Sequence, residues 1–291
     1  MPTTVVEALI EALPYVQTWS GRVVVVKYGG SAMTAPALAE AVTEDLVLLR
    51  AVGVKVVLVH GGGKQVSALG ARLGLAPRFV DGLRVTDDET MRLAQQVQIG
   101  GISRDIVAAI GRRGGQALGV SGHDFGGWMR AVPLQYNEKA TGAPVDLGRV
   151  GQMTAVRADV LDGILDDGLI PVIAPVAVDD RFGSLNINAD SMATAVAGAI
   201  GAARLIFLTD VDGIRGADGQ PARELTASAL QAWIDDGTIH GGMLPKAQAC
   251  LSALSAGVDR VTVADGRVPH ALLVELLTDT GVGTLIRSDD P

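Results

Sequence analysis

Two lysines stand far apart in the chain, each in a glycine-rich junction. Lys27 ends the run Val23-Val24-Val25-Val26-Lys27-Tyr28-Gly29-Gly30-Ser31, and Lys246 closes Gly241-Gly242-Met243-Leu244-Pro245-Lys246. Four successive valines read as a strand buried on both faces of a parallel sheet. A lone ammonium is costly to bury, so Lys27 belongs at the strand's C-terminal end, facing something anionic. Gly29 and Gly30 leave backbone N–H groups bare and permit a tight turn, which suits a phosphate. Taken alone, the stretch reads more simply as a surface lysine in a strand-to-loop turn. A third junction adds weight. The strand Lys55–His60 runs into Gly61-Gly62-Gly63-Lys64 and a helix over about 65–73, an arrangement that presents N–H donors to an anion. It is not a P-loop, because that pattern's first glycine and its Ser/Thr are absent.

Phosphoryl transfer needs this equipment. Its transition state spreads negative charge over the moving group, and the protein must position the reactants and neutralise that charge. Two lysines from distant positions can do so from opposite sides, with an aspartate holding both. At ~4 Å and an effective dielectric of ~20, each such pair is worth about 4 kcal/mol before desolvation. A carboxylate acceptor is already ionised, so no general base is required. Asp190 follows Asn186-Ile187-Asn188-Ala189, and by itself reads equally as a helix N-cap. The two asparagines alternate with apolar neighbours and point to one side, where amides suit a polar ligand. Arg84 sits in FVDGLRVT, a hairpin with Asp81-Gly82 at its turn, and its fork would suit a carboxylate. Exposed hairpin arginines are common, so this signal is weak alone. His60 at a strand end and His123-Asp124 in a loop have structural or solvated readings ahead of catalytic ones. No Ser/His/Asp pattern or His-rich metal spacing emerges.

The elements that must position these residues follow an α/β rhythm. Helices are expected over 36–51, 87–112 (opened by a Thr86 N-cap with Glu89 three residues on), 161–167, 191–200, 226–233, through Leu254, and 269–277. Strands are expected over 169–174, 205–210, 260–264 and 281–286. Residues 115–155 change character: alternating segments 128–134 and 150–156 flank a polar stretch, as in hairpins or a flap. Val5, Leu9, Ile10, Leu13, Val16 and Trp19 have helical spacing, broken near Pro14, and such a helix packs on its own chain or on another subunit. A boundary near Asp180 separates two lobes with a cleft between them: 1–20 as an N-terminal helix, 21–180, and 181–291.

Composition narrows the class. The chain has 291 residues, 48% hydrophobic and 19% charged, enough for a large core. Its 37 glycines and 3% aromatics fit close helix–sheet contacts. A net charge of −8 with no basic run argues against nucleic acid as the partner. Cys250 is the single cysteine, which excludes an internal disulfide and argues against a cysteine metal site. With no signal peptide and no apolar run of membrane-spanning length, the reading is a soluble cytoplasmic protein.

At this point the chain resembles the amino acid kinases, in particular those acting on N-acetyl-L-glutamate. The resemblance covers nearly the whole chain and is carried by VVVVKYGGSAM (23–33), VVLVHGGGKQV (56–66), DGLRVT (81–86), LIPVIAPV (169–176), NINAD (186–190), LIFLTDVDGI (205–214), DGTIHGGMLPK (236–246) and DGRVPHALLVEL (265–276). It implies an open αβα sandwich with a mainly parallel central sheet and two lobes, and ATP-dependent phosphorylation of a γ-carboxylate in arginine biosynthesis. Lys27 and Lys246 then stabilise the transferring group and Asp190 orients them. Gly62, Gly63, Arg84 and Asn186 hold the acyl substrate in the N-terminal lobe. Gly29, Gly30, Thr209, Asp210, Gly241 and Gly242 lie at the nucleotide, which arrives with Mg2+ as co-substrate; no tightly bound cofactor or resident metal is implied. The segment Glu11-Ala12-Leu13-Pro14-Tyr15 matches an N-terminal helix that joins dimers of the fold into a hexamer, a trimer of dimers, in members inhibited by L-arginine. Tyr15, Arg204 and Glu275 are the candidate arginine site. Departures fall at Thr262, Arg204, His240 and the loop 122–128, not at the catalytic positions. A kinase of another acylated amino acid (carrier-linked glutamate or α-aminoadipate) and a non-catalytic regulator are the competing readings.

Overall fold

The expected αβα arrangement is present. A computed structural model describes residues 2–289, with only the backbone of residues 2–5 and Ser31, so the readings that rest on the Val5 and Ser31 side chains lie outside the described residues. The main sheet has eight strands: β1 Val23–Tyr28, β2 Lys55–His60, β3 Ala117–Val120, β4 Ile170–Ile173, β5 Arg204–Thr209, β6 Glu224–Thr226, β7 Arg260–Asp265 and β8 Gly283–Arg287. Their spatial order is β6-β8-β7-β5-β1-β2-β4-β3. Neighbours run parallel except β7 and β8, which are antiparallel.

The valine run forms β1 between β2 and β5, with Lys27 in register with Val59 and Phe207. Its alternation divides the core. Val25 packs in one cluster with Val57, Phe207, Met192 and Ala247. Val24 and Val26 pack in the other with Leu46, Leu58 and Leu272. Helices therefore cover both faces, which is why the strands carry β-branched residues at successive positions. Because the chain places β2 on one side of β1 and later β5 on the other, the crevice at the C-terminal ends of these strands is where an open α/β sheet binds ligands. The direct β1–β5 pairing also carries one continuous sheet through both halves of the chain.

A second, smaller sheet closes on itself from strands Met129–Pro133, Val150–Val156, Val176–Val178 and Ser184–Ile187. The hairpin of Phe79–Val80 with Leu83–Arg84 turns at Asp81 and Gly82, both with positive φ (47° and 83°), as a two-residue Asp-Gly turn requires.

Several sequence expectations are corrected. The stretch 87–112 is not one α-helix: Asp88–Gln95 and Ser103–Arg112 are α-helical, joined by a π-helical turn, Gln96–Ile102. Its N-cap is Asp87, whose carboxylate accepts from Thr90 N–H at 2.7 Å; Thr86 is held in the fold by backbone bonds to Leu147 and Arg149. Ala117–Val120 belongs to the main sheet as its edge strand, not to a flap. The helix Pro2–Trp19 runs through Pro14 without a break. The carbonyl that loses its donor there belongs to Ile10, on an exposed face where water can replace the bond.

Candidate active site

Lys27 shares the β1 face of Val25, and two helices open toward that face. Asp190 is the second residue of the helix Ala189–Ala199, and Lys246 the third of the helix Leu244–Ser255. The cap of the first helix is Asn188, whose Oδ1 accepts from Asp190 N–H and Ser191 N–H. The Asp190 carboxylate is thereby left for other partners. Lys27 Nζ stands 3.0 Å from Asp190 Oδ1, and Lys246 Nζ donates to Oδ2 at 3.2 Å. Burial opposes ionisation of Asp190, but the two ammonium groups outweigh it and hold the carboxyl below its ordinary range. Lys246 also lies over the Phe207 ring, 5.5 Å from its centroid.

Glycines pack where side chains would not fit. A Cβ on Gly29 would stand 2.7 Å from Lys27 Nζ, so the ammonium folds back over that residue. Gly30 has φ +68°, and a Cβ there would collide with the Asp210 carboxylate. Gly62 packs against Gln98 and Ile102, whereas a Cβ on Gly63 would meet only Arg84 Nη2, at 3.9 Å. Arg84 Nη2 donates to Gly63 O at 2.8 Å and to Ser67 Oγ at 2.6 Å, with its guanidinium over the Phe79 ring. Asn186 Nδ2 donates to Thr86 Oγ1 at 3.2 Å.

Several of these residues line a cavity of about 310 Å³. Its lining includes Lys27, Gly29, Gly30, Gly62, Gly63, Arg84 and Asn186, together with Asn188, Phe79 and Gln98. Asp190, Lys246, Thr209, Asp210, Gly241 and Gly242 are not part of that lining; of Lys27, Asp190 and Lys246 only Lys27 reaches it. Thr209 O accepts from Gly266 N–H, and Gly241 and Gly242 lie in an exposed 3₁₀ turn before the Lys246 helix. Gln98 left no distinct signal in the sequence, where Gln95, Gln96 and Gln98 stand together. Ser67 and Phe79, which fix Arg84, left no signal.

The histidines have structural surroundings. His60 is fully buried, which lowers its pKa to about 4 and keeps the ring neutral, and Nδ1 lies 2.7 Å from Gly61 O. His123 Nε2 is 3.0 Å from Ser184 Oγ, and Asp124 accepts from Ser121 N–H. His240 is exposed. Among the described residues, no group of three or more His, Cys, Asp or Glu side chains is placed to hold a metal ion.

Tyr15, Arg204 and Glu275 do come together, at a second cavity of about 470 Å³. There Arg204 Nη2 donates to Glu275 Oε1 at 2.9 Å and Arg204 Nε to Thr262 Oγ1 at 3.0 Å. Burial lowers the Arg204 pKa, while the Glu275 carboxylate beside it acts the other way. An incoming guanidinium would compete with Arg204 for this carboxylate.

Two ammonium groups fixed on one carboxylate at the ends of parallel strands, beside a glycine-lined cavity, are the equipment of an enzyme that moves a phosphoryl group between anions. The chain belongs to the amino acid kinase family, whose model matches residues 22–265. It is 48% identical over 281 residues to the acetylglutamate kinase of Symbiobacterium thermophilum, covering 96% of each chain. Among solved structures it resembles N-acetylglutamate synthase from Neisseria gonorrhoeae in complex with coenzyme A and N-acetyl-glutamate, with a TM-score of 0.85 and 27% identity, covering 98% of this chain. The match spans 64% of that synthase chain. The same synthase with coenzyme A and L-arginine gives a TM-score of 0.81 and 26% identity, over 98% of this chain and 65% of the synthase.

Proposed function

We propose that the protein transfers the γ-phosphoryl group of ATP to the γ-carboxylate of N-acetyl-L-glutamate, yielding N-acetyl-L-glutamyl 5-phosphate and ADP in arginine biosynthesis. The observation that carries this reading is the Lys27–Asp190–Lys246 assembly beside the cavity of about 310 Å³. High identity to an acetylglutamate kinase over nearly full length supports the substrate. A carboxylate oxygen attacks the γ-phosphorus in line, that bond forms as the bond to the β–γ bridging oxygen breaks, and ADP leaves. Lys27 and Lys246 offset the charge spread over the equatorial oxygens, and Asp190 keeps both ammonium groups in place. Gly62, Gly63, Arg84 and Asn186 hold the acyl substrate. Gly29, Gly30, Thr209, Asp210, Gly241 and Gly242 face the nucleotide, and Mg2+ enters with ATP as part of the co-substrate.

In this reading residues 21–180 serve chiefly the acyl amino acid and 181–291 the nucleotide. The helix Pro2–Trp19 exposes Val6, Leu9, Ile10 and Leu13, which supports a role in joining copies of the chain into a hexamer. L-Arginine is proposed as an effector at the cavity of Tyr15, Arg204 and Glu275, supported by the related synthase solved with L-arginine. A cytoplasmic setting fits such an enzyme; no helix among the described residues is long and apolar enough to cross a membrane.

Hydroxylamine traps acyl phosphates as hydroxamates. Purified protein given Mg-ATP, hydroxylamine and N-acetyl-L-glutamate is expected to form the acyl hydroxamate. Product only from a carrier-linked glutamate or α-aminoadipate acceptor would replace the substrate assignment. No product from any acceptor would favour a non-catalytic regulator.

A further inference from the structure

The cavity of about 310 Å³ is lined by three cationic side chains, Lys27, Lys64 and Arg84, and by no aspartate or glutamate. Lys27 has its counter-charge in Asp190. The other two have none. Arg84 is bonded to Gly63 O and Ser67 Oγ and lies over the Phe79 ring, and among the described residues no carboxylate pairs with it or with Lys64. The two cations stand together. Lys64 is the second residue of the helix Gly63–Arg72, and Ser67 lies three residues on. Side chains at that spacing share one helix face, with Cβ atoms about 5–6 Å apart. Ser67 Oγ is in turn 2.6 Å from Arg84 Nη2. The helix starts at Gly62 with no side-chain cap, so its first N–H groups are open at the same end.

A lysine in the first turn opposes the helix dipole, and beside Arg84 it adds like-charge repulsion. An anion between the two reverses both terms. The reacting γ-carboxylate belongs at Lys27, where the phosphoryl group arrives. The substrate's second carboxylate, on Cα, is the negative charge still without a partner. We infer that Lys64, together with Arg84, holds this α-carboxylate, which makes Lys64 a specificity-determining residue that selects a free α-carboxylate over a neutral amide at the same position. Arg84 is half-buried and fixed by three neighbours, so it sets the direction of approach. Lys64 is exposed, and its flexible stem brings a point charge from the solvent side. The assignment rests on the acyl-amino-acid reading proposed above.

The test compares N-acetyl-L-glutamate with its α-carboxamide, which keeps the reacting γ-carboxylate, in wild-type protein, Lys64→Met and Lys64→Arg. Where the carboxamide turns over too slowly, its Ki against N-acetyl-L-glutamate replaces its KM. Thermal melting checks that each variant folds. Lys64→Met should raise the KM for N-acetyl-L-glutamate about fivefold, the scale of one exposed ion pair, and move the carboxamide constant far less. Lys64→Arg keeps the charge and should retain the preference for the α-carboxylate. Added salt should raise the KM for N-acetyl-L-glutamate more in the wild type than in Lys64→Met, because the ion pair it screens is missing from the variant. A preference unchanged in folded Lys64→Met overturns the assignment, since Arg84 then holds the carboxylate alone. Equal losses on both compounds overturn it too, as does a loss confined to the KM for ATP or a preference lost as fully in Lys64→Arg. A wild type inactive on N-acetyl-L-glutamate overturns the functional reading itself, an outcome distinct from all of these.

Discussion

Lys27 and Lys246 hold opposite oxygens of one carboxylate, that of Asp190, at 3.0 and 3.2 Å. One comes from the central strand and the other from the first turn of a late helix. Their mutual repulsion is offset only while Asp190 is ionised. The sign of its pKa shift ensures that: a carboxyl held below its ordinary range stabilises the fold above that range, and the contribution is lost as pH falls through the lowered value.

Lys246→Ala is expected to lower kcat by about 100-fold or more, the scale of losing one electrostatic donor to a transition state. The KM for N-acetyl-L-glutamate should change much less. Steady-state kinetics with each substrate varied separates the two, and a large KM effect at preserved kcat would refute a transition-state role.

Arg84→Lys should act in the opposite way. The guanidinium is fixed by Gly63 O, Ser67 Oγ and the Phe79 ring, which a lysine cannot reproduce together. The KM for the acyl substrate should rise roughly 10- to 100-fold, as for loss of a hydrogen bond to a charged group. An unchanged KM would remove Arg84 from the substrate site.

The two adjacent glycines should respond unequally to alanine. At Gly62 a Cβ would meet Ile102 Cδ1 at 2.9 Å and Gln98 Cγ at 3.0 Å, whereas at Gly63 it has room. Gly62→Ala should cost about 1–3 kcal/mol of stability through overpacking, and Gly63→Ala distinctly less. Chemical denaturation of both variants measures the difference; equal losses would contradict the packing described.

Asp45 makes a pH prediction. It is buried in the helix Pro36–Ala51 and receives His270 Nδ1 at 2.7 Å and Leu272 N–H at 3.3 Å. Burial raises its pKa from 3.8 to about 6, with the His270 contacts pulling the other way. Between these values the folded protein binds a proton that the unfolded chain lacks, so this group's contribution to stability grows as pH falls through about 6 toward 3.8. The melting temperature of wild type relative to Asp45→Asn should therefore rise over that interval. A flat difference would show that Asp45 is ionised throughout.

Arginine is expected to slow the reaction only weakly, because Arg204 already occupies Glu275. Titration of arginine into the hydroxamate assay up to concentrations on the order of millimolar measures this, and an unchanged rate would remove the regulatory proposal.

By itself, the sequence determined what local chemistry can specify. The valine run places Lys27 near the end of β1, Lys55–His60 forms β2 as read, and Asp81-Gly82 makes the hairpin turn. Each rests on β-branching or turn stereochemistry confined to a few neighbouring residues. The quoted motifs carried the family. Tertiary structure decided the rest. The Asp190 position reads as a cap until Asn188 is seen to fill that role, which leaves its carboxylate for two lysines. Ala117–Val120 reads as part of a variable segment because its pairing partner β4 lies more than fifty residues away in the chain (170−117 = 53). Gln98 reads as one more polar helical residue, because neither the π-helical turn nor the loss of its partners is written in spacing. Contacts across the sheet fix these features, and a linear pattern carries no record of which distant residues will supply or withhold a hydrogen bond.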